Sequence, residues 1–240
     1  MTREVSLALA QYGVEADDPP RSRRRSREMI TAALDDGADV VILPELAIPG
    51  YTEDADHLAA GAETLDGPTV QEWTALAKAS GSVVVGGICE RGTEGLFNSA
   101  ITVGPDGVLA LYRKLHLFAG EKQIFLPGDQ GLPVVDTPHG RIGVCVCYDL
   151  RFPEVARVMA LRGAEIVASP HRVAARIRLA PVGRRGHVSS GPRRGAAGQP
   201  RPGRDRLRLC GRGPLGARVP RVVAGRRPRW HPCSRAASWN

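Results

Sequence analysis

Three stretches of the chain each bring one reactive side chain to the end of a short apolar run. VVILPELAIPGY (40–51) leads to Glu45, LYRKLHLF (111–118) carries Lys114, and RIGVCVCYDLRFPE (141–154) carries Cys147. Singly, each has an ordinary reading: a solvated loop glutamate, a surface lysine, a cysteine acting as a small buried apolar residue. Together they make a chemical set. A thiol becomes a nucleophile when a base takes its proton, and the oxyanion formed on attack needs a cation or N–H donors. Glu45, Lys114 and Cys147 supply base, cation and thiol without histidine or metal. Strand alternation does not separate Cys145 from Cys147, because residues two apart share a face. Position favours Cys147, which stands at the exit of the run beside Tyr148 and Asp149, whereas Cys145 lies inside it.

For these residues to meet, the elements around them must share one frame. VSLALAQY (5–12), ADVVILPE (38–45), SVVVGGI (82–88), RIGVCVC (141–147) and AEIVAS (164–169) read as buried strands, short and rich in β-branched residues. RSRRRSREMITAALDDG (21–37), GPTVQEWTALAKASG (67–81) and PEVARVMALRG (153–163) read as helices, the first stopped by Gly37 and the second started by Pro68. NSAITVGPDGVLALYRK (98–114) is a hairpin turned at Pro105, Asp106 and Gly107. Strands alternating with helices predict an α/β layered fold, in which strand ends line the ligand crevice. The basic run at 21–28 falls on a helix and reads as its solvated face. His116 and His139 read as loop residues. Asp149 and Arg151 read as shaping the turn after the nucleophile, with a substrate carboxylate as a second role for Arg151.

The net charge of +8 averages two unlike segments. Residues 171–240 hold 18 Arg, no Lys and one acidic residue, Asp205, for +17; residues 1–170 carry −9. The part that holds the motifs is acidic, which argues against nucleic acid as its partner. No apolar run reaches the length of a membrane span. The N-terminus lacks a signal-peptide pattern, and a cytoplasmic protein is expected. The five cysteines form neither a disulfide framework nor a zinc pattern, and Cys145-x-Cys147 is too tight for the usual metal spacing.

The motifs resemble those of the nitrilase superfamily, the carbon–nitrogen hydrolases. LPELAIPGY resembles its Glu motif, YRKLHLF its Lys motif and CVCYDLRFPE its Cys motif, in the family's chain order. EKQIFLPGD (121–129) resembles the segment with the family's second active-site glutamate, which falls on Glu121. The resemblance covers about residues 1–170. It implies a four-layer αββα sandwich, a small-molecule amide substrate, no cofactor, and a homo-oligomer where the domain is whole. It also implies the roles: Glu45 as base, Cys147 as nucleophile, Lys114 and the backbone N–H of Tyr148 at the oxyanion, and Glu121 positioning the substrate or Lys114. YDLRFPE is more like the amidase branches than the true nitrilases.

After Pro170 the pattern stops, and residues 171–240 show no sustained period and much Gly, Pro and Arg. Three readings compete: a disordered basic tail, a folded segment of hidden periodicity, or translation in the wrong frame. The abruptness of the break favours the last, which leaves the sandwich incomplete at its C-terminal side. Starting each codon one base later lets Ser190–Gly195 encode Leu/Arg-Ala-Arg-Ala-Val-Glu, and Arg206–Gly211 encode Gly-Phe-Asp-Phe-Val-Gly, both similar to the family's second half. An inactive member kept for binding, and a basic-tailed nucleic-acid binder, are the competing functions.

Overall fold

Val40, Val41 and Ile42 are buried on both faces of their strand, and the two faces meet different partners. Val41 packs with Met29, Ile30, Ala33, Val70, Trp73 and Ala77 from two helices. Val40 and Ile42 pack with Ile142, Val144 and Ala168 from a second sheet. A strand between a helical layer and another sheet has no face for water, which is why it reads as unbroken apolar sequence.

The computed structural model describes residues 3–172 apart from 15 and 17, together with the backbone of two strands at 208–210 and 219–224. The strands are β1 (Arg3–Leu9), β2 (Val40–Ile42), β3 (Val83–Arg91), β4 (Leu96–Gly104), β5 (Gly107–Arg113), β6 (Val134–Thr137), β7 (Gly140–Val144), β8 (Ile166–Ala168), β9 (Arg208–Cys210) and β10 (Val219–Ala224). The helices are α1 (Pro19–Asp35), α2 (Ala55–Gly61), α3 (Pro68–Ser80) and α4 (Pro153–Leu161). One sheet runs β5-β4-β3-β2-β1-β10-β9 and the other β6-β7-β8. β1, β2 and β3 are parallel neighbours, β3-β4-β5 antiparallel, and β7 and β8 parallel.

Helices α1 and α3 cover the outer face of the first sheet. The inner faces of the two sheets meet, and Val155 and Met159 of α4 pack on the second sheet, where Gly143 leaves room for the Met159 sulfur. These are the four layers of an αββα sandwich. Helix α1 buries Ser22, Ser26, Met29, Ile30 and Ala33, a stripe at helical spacing, and ends where Gly37 takes φ +81°. Its arginines line the other face: Arg23 pairs with Glu63 at 2.8 Å and Arg27 with Glu72 at 3.0 Å. The solvated-face reading of 21–28 holds for Arg21, Arg24, Arg25 and Arg27, which are exposed, but not for Arg23, which is half-buried on Glu63, nor for the two buried serines.

Three elements lay outside the sequence reading: α2, β6, and a 3₁₀ turn at Ala119–Gln123. A 3₁₀ turn at Cys147–Arg151 also ends the predicted strand 141–147 earlier, at Val144. Most of 171–240 lies outside the described residues, Ser190–Gly195 included. Its two described strands depart from an irregular tail: β10 pairs antiparallel with β1 from Arg3↔Ala224 to Ser6↔Arg221, and β9 pairs with β10. The run VPRVVA is rich in β-branched residues, and the free edge of β1 offers unpaired N–H and C=O groups to such a run.

Candidate active site

Glu45 leaves β2 through Leu43 and Pro44, held against β3 by the bonds Leu43 N–H to Val85 O (2.8 Å) and Gly87 N–H to Pro44 O (3.1 Å). Gly87 makes this approach possible: a Cβ there would lie 2.5 Å from Leu46 N and 2.7 Å from Glu45 Cα. Lys114 leaves β5 with its N–H on Asn98 O and its carbonyl accepting from Gly128 N–H, both at 2.9 Å. Glu121 sits in the 3₁₀ turn that follows, its Oε2 accepting the Phe118 N–H at 2.9 Å. Cys147 starts the other 3₁₀ turn, its N–H on Pro170 O at 3.0 Å.

The non-glycine residues with positive φ among the described residues are Leu46 (44°), Ala119 (44°) and Cys147 (48°). Leu46 follows Glu45, Ala119 opens the turn of Glu121, and Cys147 is the thiol itself. Left-handed backbone costs about 1–3 kcal/mol at such residues and gathers where a side chain must be aimed. At Cys147 it turns the chain out of its strand in a single residue.

The side chains converge. Lys114 Nζ lies 2.6 Å from Glu45 Oε1 and 2.8 and 3.0 Å from the two oxygens of Glu121. Asn98 Nδ2 donates to Glu45 Oε1 at 2.9 Å and reaches Glu121 Oε1 at 3.5 Å. The Tyr51 hydroxyl donates to Glu121 Oε1 at 3.0 Å. Glu45, Lys114 and Glu121 are each at most 2% exposed. Burial alone would lower the Lys114 pKa, but the charges and hydrogen bonds of Glu45 and Glu121 outweigh it and hold the ammonium above its ordinary value. Burial raises the Tyr51 hydroxyl, and the neighbouring carboxylates add to it.

Two carboxylates share one ammonium, so the cluster carries a net negative charge beside the thiol. The Cys147 pKa is pushed up to about 12, first by burial, then by the charge of Glu45 and its contact with the thiol. Lys114 and the backbone N–H of Arg172 oppose the rise. Among the described residues, Glu45 Oε2 and Asn98 Oδ1 are buried with no N–H or O–H donor on them, and the Cys147 thiol is the further contact of the Glu45 carboxylate. Cys145 is fully buried in the core between the sheets, and burial pushes its thiol up to about 11. The structure thus separates the two cysteines that strand alternation could not.

Tyr51, Asn98 and Arg172, whose guanidinium lies 4.4 Å over the Tyr51 ring, lay outside the sequence reading of the site. Tyr51 closes the PELAIPGY stretch, and Asn98 is a polar residue opening an apolar strand; those were the available signals. His116 is more than a loop residue, since it stacks on Phe152 at 3.8 Å and bonds Asp149. Arg151 is exposed. Among the described residues, no group of three or more His, Cys, Asp or Glu could hold a metal ion, and no helix is long and apolar enough to cross a membrane.

The motifs and this geometry accord with a match to the carbon-nitrogen hydrolase family model over residues 6–192. The chain belongs to the carbon-nitrogen hydrolase family. This hydrolase-family chain is 37% identical to a nitrilase of Pyrococcus abyssi over 168 residues, 69% of this chain and 64% of the relative. It is 34% identical to an N-carbamoylputrescine amidase of Solanum tuberosum over 177 residues, 70% of this chain and 58% of the relative. A nitrilase-superfamily protein of Saccharomyces cerevisiae superposes with a TM-score of 0.65 at 28% identity, over 72% of this chain and 66% of that one. An amidase of Nesterenkonia sp. AN1, bearing an acrylamide adduct on its active-site cysteine, superposes with a TM-score of 0.62 at 27% identity, over 72% and 69%. The chain spans about three-fifths of the length of the curated relatives it matches.

Proposed function

We propose that this carbon-nitrogen hydrolase cleaves a small linear amide to a carboxylate and ammonia through a thioester on Cys147. The observation that carries the reading is the buried Glu45 carboxylate in contact with the Cys147 thiol, whose neutral form is favoured. A thiol held protonated by burial and a nearby carboxylate must lose its proton as it attacks, and in this reading Glu45 takes it. The carbon–sulfur bond forms, the proton moves from sulfur to Glu45, and the negative charge reappears on the amide oxygen. Net charge is conserved, so Lys114 serves both states: it faces a carboxylate before attack and the oxyanion after, when protonated Glu45 holds it less tightly. The backbone N–H of Tyr148 is the second oxyanion donor in this reading. Glu45 then protonates the leaving ammonia as the carbon–nitrogen bond breaks. Water, deprotonated by Glu45, attacks the thioester and restores the thiol. Glu121, with both oxygens on Lys114, is a positioning residue.

The reading puts amide and carbamoyl substrates ahead of nitriles, supported by relatives named N-carbamoylputrescine amidase and omega-amidase, beside one named nitrilase. The reading extends to a cytoplasmic homo-oligomer, a location supported by the three free cysteines among the described residues. It also takes residues 171–240 as read out of frame, on their composition, and sequencing the gene across codons 165–175 tests that point.

The function is tested with Cys147→Ala and Cys145→Ala, assayed for ammonia release from a panel of short linear amides. Cys147→Ala abolishes turnover and Cys145→Ala keeps most of it. Turnover that survives in Cys147→Ala overturns the proposal.

A further inference from the structure

Asp149 is fully buried two residues after Cys147, and four donors converge on its carboxylate. The Tyr112 hydroxyl donates to Oδ2 at 2.6 Å and the Val146 N–H to Oδ2 at 3.0 Å. The His116 N–H donates to Oδ1 at 3.0 Å, and His116 Nδ1 lies 2.7 Å from the same oxygen. Tyr112 in turn accepts the Leu115 N–H at 3.2 Å. The His116 ring lies flat on Phe152, the residue that closes the turn of Cys147, at 3.8 Å and 16°. Tyr112, Leu115 and His116 all lie within two residues of Lys114, and Val146 adjoins Cys147. One carboxylate therefore ties the segment that carries the ammonium to the segment that carries the thiol.

We propose that Asp149 is a positioning residue that sets the placement of Lys114 relative to Cys147; the inference rests on the reading of that pair as catalytic. The acceptor count requires a carboxylate. Each oxygen faces one backbone N–H, from Val146 or from His116, and backbone donors cannot reverse their role. An asparagine could turn its oxygen to only one of them, and its NH₂ would face the other. The lost bond opens the link at one end whichever way the amide turns. The same carboxylate makes His116 Nδ1 a donor, which fixes its tautomer and seats the ring on Phe152.

The test compares Asp149→Asn and Tyr112→Phe with the unaltered full chain in two assays. The first is kcat and KM for amide hydrolysis. The second is iodoacetamide labelling of Cys147, Cys145 and Cys89, read separately by peptide mass spectrometry. Asp149→Asn loses about 10²-fold in kcat, the scale of a misplacement near 1 Å, with KM within about twofold. Tyr112→Phe loses less, roughly three- to tenfold, because it removes one of the four donors. In Asp149→Asn, Cys147 labels more slowly, since the Lys114 ammonium, which opposes the rise of the thiol pKa, draws away from it, while Cys89 and Cys145 stay protected and report an intact fold. An Asp149→Asn protein with protected Cys89 and Cys145, unchanged Cys147 labelling and kcat within threefold overturns the inference. Should Asp149→Asn expose all three cysteines, Tyr112→Phe decides: full kcat with protected cysteines overturns it, and reduced kcat at constant KM supports it. Absent turnover in the unaltered chain with the labelling response intact counts against the hydrolase reading and leaves the positioning role standing.

Discussion

Arg113 and Lys114 are consecutive residues at the exit of β5, and each enters a carboxylate cluster. Arg113 meets Glu90 side-on: Nε lies 3.0 and 3.2 Å from its two oxygens and a terminal nitrogen 2.7 Å from Oε1. Ser99 Oγ donates to the other oxygen at 2.6 Å, Asp129 takes a further guanidinium nitrogen at 3.4 Å, and the guanidinium stacks on Phe97 at 3.8 Å. Both Glu90 oxygens are occupied, and the planar fork is matched to its partner. Lys114 is a point charge divided between two carboxylates, and among the described residues the Glu45 carboxylate of its cluster also contacts the Cys147 thiol. A saturated ion pair holds strands together. In the proposed mechanism the Glu45 carboxylate of the second cluster takes the thiol proton, whereas the Glu90 carboxylate of the first is fully engaged by its own donors.

Exchanging the two cations gives the widest separation. Lys114→Ala loses about 10²–10³ in kcat, the scale for an oxyanion stabiliser. It also destabilises the fold by roughly 3–5 kcal/mol, because two buried carboxylates lose their shared counter-charge. Arg113→Met destabilises the fold as well, yet holds kcat within a few-fold once the temperature is lowered to keep it folded. Steady-state kinetics with denaturant melts measure both quantities, and equal kcat losses in the two variants would erase the distinction.

The next effect in size comes from Gly87→Ala, which touches no charged group. Its Cβ meets backbone atoms of Pro44, Glu45 and Leu46 at 2.5–2.7 Å, and backbone cannot step aside as a side-chain tip can. Stability falls by about 1–3 kcal/mol and kcat by up to about 10²-fold as Glu45 is displaced. Unchanged kcat in a folded Gly87→Ala protein would show that the loop tolerates the shift.

The smallest effect is electrostatic. Burial pushes the Cys147 thiol up to about 12, and the charge of Glu45 adds to the rise. Removing that charge with Glu45→Gln lowers the thiol pKa, which enlarges the thiolate fraction at any pH below it and speeds alkylation by roughly tenfold or less at pH 9. Glu90→Gln, in the saturated cluster, leaves the Cys147 rate unchanged. Iodoacetamide rates between pH 7 and 10 measure the shift, and a slower rate in Glu45→Gln would reverse the assigned sign.

Much of this arrangement was legible in the residues. Strands β2 and β3 are legible because both faces are covered; β1 and β8 also read as buried, but the structure leaves Leu9 and Val167 exposed. The hairpin of β4 and β5 was visible in Pro105-Asp106-Gly107, and Gly107 takes φ +121° there. Helix α2 escaped notice because Leu58 and Gly61 are its only buried residues, too few to set a period. Strand β6 escaped because Pro133 and Pro138 bracket VVDT like a loop. The local signals at Asn98 and Asp149 stop short of their distant partners: Asn98 acts on Glu45 across 53 positions, and Asp149 on Tyr112 across 37.

The sequence by itself determined which residue types reach the ends of strands, because alternation and chain breaks are local properties: Glu45 after Pro44, Lys114 after the β5 run, Cys147 after VCV. It also determined the family, because the motifs and their order are written in one dimension. Only the tertiary structure decided which of two cysteines faces the charged cluster, that Glu45 and Glu121 share one ammonium, and that Asp149 joins the Lys114 and Cys147 segments. The physical reason is the same for all three. Burial, charge and hydrogen-bond saturation are sums over neighbours brought close by packing, and most of those neighbours lie tens of residues away in the chain.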